Sequence, residues 1–206
     1  MAKMGRPRTF DRQNAVVQAM YIFWEHGYET TSLSQLKANI GGGISTPSFY
    51  AAFGSKEKLF NEAVQCYLET YACVTDALWD DEISPRDAVE LTLRRSTKMQ
   101  CESGHPKGCM VSLGTMSAPS PEFTHVAEPL AASRSRTLQG FVRCVERAIT
   151  MGELSKKTNA RSMGIAFNSF LLGVSILARD GVDASDLNDS ITELMKLWDI
   201  ELCQSK

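Results

Sequence analysis

Apolar residues recur at helical spacing along almost the whole chain, and sustained period-2 alternation is nearly absent. No Asn-Gly or Asp-Gly turn joins two strand-like runs, so the pattern predicts an all-α fold. The punctuation gives nine helices. Asp11 opens the first, whose Ala15, Ala19, Ile22 and Phe23 share a face, and Gly27 closes it. Thr31 and Ser32 cap a short second helix that turns Leu33, Leu36 and Ile40 inward, and Gly41, Gly42 and Gly43 break it. Ser45 opens the third, with Pro47 in its first turn and Phe49 and Phe53 on one buried face. After Gly54, Ser55 caps a long fourth helix with Glu57 in its first turn.

Later boundaries are as clear. Ser84-Pro85-Arg86-Asp87 opens a helix reaching about Glu102, and residues 104–108 form a loop. A short helix near Cys109–Ser117 precedes another that starts around Pro119 and reaches about Met151. Residues 158–179 form a strongly apolar helix, and Ser185 opens the last, which carries Leu187, Ile191, Leu194, Leu197 and Trp198. No apolar run approaches the roughly 18 residues of a membrane span. The basic start lacks the apolar core of a signal peptide, so a cytoplasmic protein without a membrane partner is expected. The six cysteines are scattered through the chain, which favours reduced thiols over a disulfide set.

Net charge is only −2, but it is unevenly spread. Residues 1–58 hold seven Lys and Arg against four Asp and Glu, and residues 59–206 hold fifteen against twenty. A basic head on an acidic body suits a protein whose N-terminal part alone approaches phosphates. That division also predicts two domains, an N-terminal unit at 1–58 and a larger one at 59–206 that shares the fourth helix.

Three short helices with a turn between the second and third describe a helix-turn-helix, a DNA-reading unit. Phe23, Gly27-Tyr28, Thr30-Thr31, Ser45-Thr46-Pro47-Ser48-Phe49-Tyr50, Phe53 and Ser55-Lys56-Glu57-Lys58-Leu59-Phe60 resemble the N-terminal signature of TetR-type (TetR/AcrR) transcriptional repressors. The resemblance covers about residues 8–60 and implies a homodimer that binds a palindromic, double-stranded operator. It implies that Ser45, Thr46, Pro47, Ser48 and Tyr50 face the major groove and that Lys56 holds the backbone. Thr31 and Ser32 are expected at a phosphate, and Arg6 and Arg8 along the flanking minor groove or the backbone. One departure is the turn Gly41-Gly42-Gly43-Ile44-Ser45, two residues longer than the family's usual Gly-apolar-Ser.

The resemblance further implies a C-terminal domain that encloses an effector pocket and pairs its last two helices across a two-fold axis. Phe170, Val174, Leu177, Leu194 and Trp198 are the interface candidates. Tyr67, Tyr71, Met99, Cys109, Met110, Met116, Phe123 and Phe167 are the pocket candidates, alternatively plain core, and suggest a neutral or weakly polar small molecule. Cys101-x3-His105-x3-Cys109 leaves three readings open: buried cysteines, a redox- or electrophile-sensitive thiol at Cys109, or a soft-metal site for copper or zinc. No cofactor is expected. An enzyme is disfavoured because no nucleophile elbow, phosphate loop, dinucleotide fingerprint or zinc-protease motif occurs. A helical adaptor would leave the basic arm without a purpose.

Overall fold

The computed structural model describes residues 10–114 and 124–203, with side chains as far as Ile200. Among the described residues there are nine α-helices and no strand. They are α1 (Arg12–His26), α2 (Leu33–Asn39), α3 (Thr46–Phe53), α4 (Lys56–Thr70), α5 (Pro85–Cys101), α6 (Met110–Leu113), α7 (Thr124–Met151), α8 (Ala160–Arg179) and α9 (Ala184–Cys203). A 3-10 helix, Ala72–Trp79, joins α4 to α5. The long fourth helix ends at Thr70, with Tyr71 as its C-cap and the tighter 3-10 turns following.

The caps form as the sequence requires. Asp11, Ser32, Ser45, Ser55, Ser84 and Asn159 each accept a hydrogen bond from the backbone N–H three residues on. The long turn before α3 is built on Gly41, Gly42 and Gly43, with φ of 60°, 78° and 95°. Side chains strongly disfavour that region, so three successive glycines are what lets the chain reverse there. Ile44 N–H reaches back to the Lys37 carbonyl at 2.9 Å, and Gly41 N–H is held by Gln18 Oε1 at 2.7 Å. Phe49 and Phe53 then anchor α3 from behind.

One hydrophobic cluster joins α1 to α4 with Met99, Met110, Val111, Val126 and Leu130, so the core crosses the expected domain line at residue 58. A second cluster fills the far end around Phe141, Phe167, Ile191 and Trp198. Phe167 therefore packs between Phe141 and Trp198 and is not a pocket residue. Trp198, expected at a dimer interface, belongs to this inner core, and Val174, expected there too, is also buried within the chain, with 0% and 1% exposure. Helical phase explains the correction, because the outward stripe of α8 carries Ile165, Ile176 and Leu177 and that of α9 carries Leu197 and Ile200. α8 is also long and apolar enough to cross a membrane by length and composition alone, which the sequence reading had not recognised.

Candidate nucleic-acid interface and effector cavity

α3 has two faces of opposite chemistry. Phe49 is fully buried, whereas Ser45, Thr46, Pro47, Ser48 and Tyr50 are exposed, Tyr50 at 50%. Ser45 Oγ lies 2.8 Å from Ser48 Oγ and accepts the Ser48 N–H at 3.2 Å, which orders the start of the helix. Lys37 of α2, unassigned from the sequence, donates to Thr46 Oγ1 at 2.6 Å and adds a cation to the same edge. Lys56 stands 4.3 Å above the Tyr28 ring; burial draws its ammonium pKa down and Glu29 pushes it back up. Arg12 ties α1 to this unit through the Ala52 carbonyl and Glu62, at 3.1 and 2.7 Å.

Two of the expected contacts need separate treatment. Thr31 is fully buried and its hydroxyl donates to the Gly27 carbonyl at 2.6 Å, so its side chain cannot reach a phosphate. The cap of α2 is Ser32, which is exposed. Arg6 and Arg8 lie outside the described residues, as do Met116 and Phe123 of the pocket set.

Behind the reading unit, an aromatic junction joins α1 and α4 to the loop that follows α5. Trp24 packs edge-on against Tyr67 at 4.8 Å and stacks on His105 at 4.6 Å. Tyr71 meets the His105 ring at 4.9 Å and shares a 2.8 Å hydrogen bond with Tyr21. Arg179, at the end of α8, donates to the carbonyls of Trp24 and Lys107 at 2.7 and 3.1 Å. Gly108, with φ 79°, lets the loop press against α8; a Cβ there would lie 2.7 Å from the Ser175 carbonyl oxygen.

A cavity of about 40 Å3 lies beside this junction. Of the pocket candidates, Tyr67, Met99 and Cys109 line this cavity, whereas Tyr71 and Met110 belong to the junction and the core. Most of the exposed wall is apolar, but polar residues that the Met and aromatic pattern does not pick out also border it: Ser96 and Gln100 of α5, Ser112 of α6, Ser133, Arg134 and Thr137 of α7, and Asn168 of α8. The signal was present as polar pairs one helical turn apart on stripes that are otherwise apolar. Arg134 donates to the Val111 carbonyl at 2.8 Å, and Ser175 donates to Gln100 Oε1 at 2.6 Å.

Tyr67 donates to Cys109 Sγ at 3.2 Å. His105 is engaged elsewhere, its Nδ1 at the Pro106 carbonyl and its Nε2 toward Glu102, at 2.9 and 3.5 Å. Lys107 caps the end of α5 through the carbonyls of Cys101 and Glu102. The described residues contain no group of three His, Cys, Asp or Glu arranged to hold a metal ion, so the candidate set Cys101, His105 and Cys109 is set aside. Burial raises the thiol pKa of Cys66 and Cys101, and takes that of Cys144 up to about 11.

Residues 16–63 match the model of the family described as bacterial regulatory proteins, tetR family. The chain is 31% identical over 197 residues to the HTH-type transcriptional repressor ComR of Escherichia coli (strain K12), spanning 94% of this chain and 91% of ComR. It is 35% identical over 111 residues to the repressor BdcR of the same organism, covering 53% of this chain and 55% of BdcR. A cysteine mutant of the TetR family regulator CifR, complexed with 26-bp double-strand operator DNA, superposes with a TM-score of 0.82. That match has 34% identity and covers 94% of this chain and all of the other.

The junction has a titration signature. Burial, followed by the hydrogen bond with Tyr21, pushes the Tyr71 phenol up to about 12. The folded state therefore holds that proton more tightly than the unfolded chain, where a tyrosine titrates near ~10. The stabilisation is complete below pH ~10 and is lost as pH rises through about 12. Alkaline absorbance titration at 295 nm should show a step near that value, and Tyr71→Phe should delete it. Loss of a step near pH ~10 instead would contradict the assignment.

Proposed function

Since the chain belongs to the TetR family of bacterial transcriptional regulators, we propose that it is a homodimeric, cytoplasmic repressor that binds a palindromic operator and releases it when a small molecule occupies the cavity. The observation that carries the DNA-reading part is the split of α3, where Phe49 and Phe53 fix the helix from behind and Thr46, Pro47, Ser48 and Tyr50 are exposed in front. Ser32, Ser45, Lys37 and Lys56 flank that edge and serve the phosphates. Arg6 and Arg8 keep their assignment to the flanking DNA. The role is one of binding, with no catalytic step.

Exposed apolar surface supports the dimer. Ile165, Ile176 and Leu177 on α8 and Leu197 and Ile200 on α9 are between 41% and 54% exposed, with Phe170 and Leu194 half-buried beside them. Pairing these helices with a second copy buries a surface that one chain leaves in water, at about 25 cal/mol per Å2. The same pairing accounts for the apolarity of α8 without a membrane.

Release follows from the connection between the cavity and the reading unit. Tyr67 is a cavity wall and also a buried residue of α4, which starts at Lys56 beside the DNA edge. A ligand that displaces Tyr67 moves α4 and, through Trp24, α1. The two reading heads of the dimer then depart from the half-site spacing they need.

A second reading rests on Cys109, whose sulfur lines the cavity and accepts from Tyr67. Oxidation or alkylation there would break the same contact. CifR was complexed with its operator as cysteine mutants, and two of the replaced cysteines are eight positions apart, as Cys101 and Cys109 are here.

Three measurements test these readings. Tyr50→Ala and Lys56→Ala should each weaken binding to the upstream DNA in a gel-shift assay while the protein stays folded, and Lys56→Ala should flatten the salt dependence by about one unit of slope. Wild-type affinity in both variants would remove α3 from the DNA. Leu197→Glu should convert the dimer to monomer in sedimentation velocity; an unchanged dimer would move the interface off α9. N-ethylmaleimide should abolish operator binding in wild type but spare Cys109→Ser if the thiol reading holds, and an indifferent wild type ends it.

A further inference from the structure

Charge in the cavity is one-sided. Arg134 places a guanidinium in its wall, and no Asp or Glu lines it among the described residues. The one bond described for that guanidinium is to a neutral carbonyl, that of Val111. Burial draws the Arg134 pKa down, the mark of a cation partly stripped of water, while Cys109 opposes the shift. A cation in such a place is costly until an anion pairs with it, and a carboxylate matches the guanidinium fork through two parallel bonds. Tyr67, Met99 and Leu171 are among the apolar residues that make up most of the wall around this single cation, which favours a ligand with one charged end and a short apolar body.

The way in is independently marked. A wider surface groove of about 430 Å3 lies between the 3-10 helix and α7, and it shares Ala72, Thr75, Ser133 and Thr137 with the inner cavity. Arg136 stands on its rim, 3.3 Å from Asp76 and over the Trp79 ring at 4.8 Å. Asp76 lines the same groove and pairs with Arg136, so along this path the cation without an ion pair among the described residues is Arg134, further in.

We propose that the effector is a small organic acid whose carboxylate pairs with Arg134 and whose apolar body lies against Tyr67, Met99 and Leu171, reached through the groove between the 3-10 helix and α7. The inference rests on the cavity being the effector site. A carboxylate there gives the guanidinium a counter-charge, and the body forces Tyr67 aside because the cavity is too small for it. Recognition is thus tied to the residue that moves α4.

Butyrate and benzoate, their neutral counterparts butyramide and benzamide, and inorganic phosphate serve as probes with the full-length protein. Thermal unfolding and operator binding are measured with each. The acids should raise Tm and weaken operator binding; the amides and phosphate should not. Arg134→Gln should lose roughly tenfold or more of the acids' affinity, and Arg134→Lys should recover part of it. If Arg134→Gln does not fold, the contrast of acid with amide in wild type decides. Amides acting as strongly as the acids, phosphate matching them, or no acid acting at all overturns the inference. The effector-site reading is tested apart from it by Ala72→Phe, which fills the passage. Any compound that releases wild type from the operator should fail on that variant, and continued release would overturn that reading while the probe series still judges the acid.

Discussion

The contact on which the rest depends is the edge of Trp24 against the ring of Tyr67, 4.8 Å apart. Both residues are almost wholly buried, and they belong to the two long helices of the reading unit. A large aromatic pair of this kind buries several hundred square ångströms and prefers the edge-to-face geometry found here. On one side it fixes the angle between α1 and α4, on which Phe60 and Phe23 also pack at 5.0 Å. On the other it forms the floor for His105 and the thiol of Cys109. Separating α1 from the loop after α5 would expose these rings.

Arg179 makes the same connection from a third direction. The last carbonyls of α1 have no partner within their own helix, and a buried carbonyl left unbonded costs about 1–3 kcal/mol. The Arg179 guanidinium satisfies the carbonyl of Trp24 and also reaches that of Lys107, so α8 clamps α1 to the cysteine loop. α8 therefore ends on the reading unit. In the proposed dimer, this one side chain would couple the subunit interface to the position of the heads.

The sequence made the helices legible because each start carries its own chemistry. Serine caps and first-turn prolines act within one turn of backbone and need no tertiary context, so α2, α3, α4 and α5 begin where the residues say. The 3-10 helix was not legible, since Ala72–Trp79 has no cap and is shaped by packing on α5 and α7. Helical phase at the dimer face failed for a similar reason. Trp198 and Leu197 are adjacent and both apolar, and only the placement of the core decides which turns inward. In the reading unit, Tyr50 and Lys56 carry a recognisable local pattern, whereas Thr31 looks like a cap but is drawn inside by the Gly27 carbonyl. Arg134 escaped notice because arginine on a long helix usually faces water, and nothing local marks a half-buried one that also borders a cavity.

The small volume of the cavity bears on how a signal could pass. At about 40 Å3 it holds a few water molecules and no organic ligand without rearrangement. Closed interiors are as densely packed as organic crystals, so a body placed there must displace a wall. Of the apolar walls, Met99 and Leu171 lie on long helices, Tyr67 stands three residues before the end of α4, and Ala72, Val74 and Val111 lie on the short 3-10 helix and α6. In the proposed release the movement that matters is that of Tyr67, because it presses on Trp24. A hundredfold loss of operator affinity requires only about 2.7 kcal/mol of difference in ligand affinity between the two conformations. One guanidinium–carboxylate pair formed more completely in the expanded cavity is of that size.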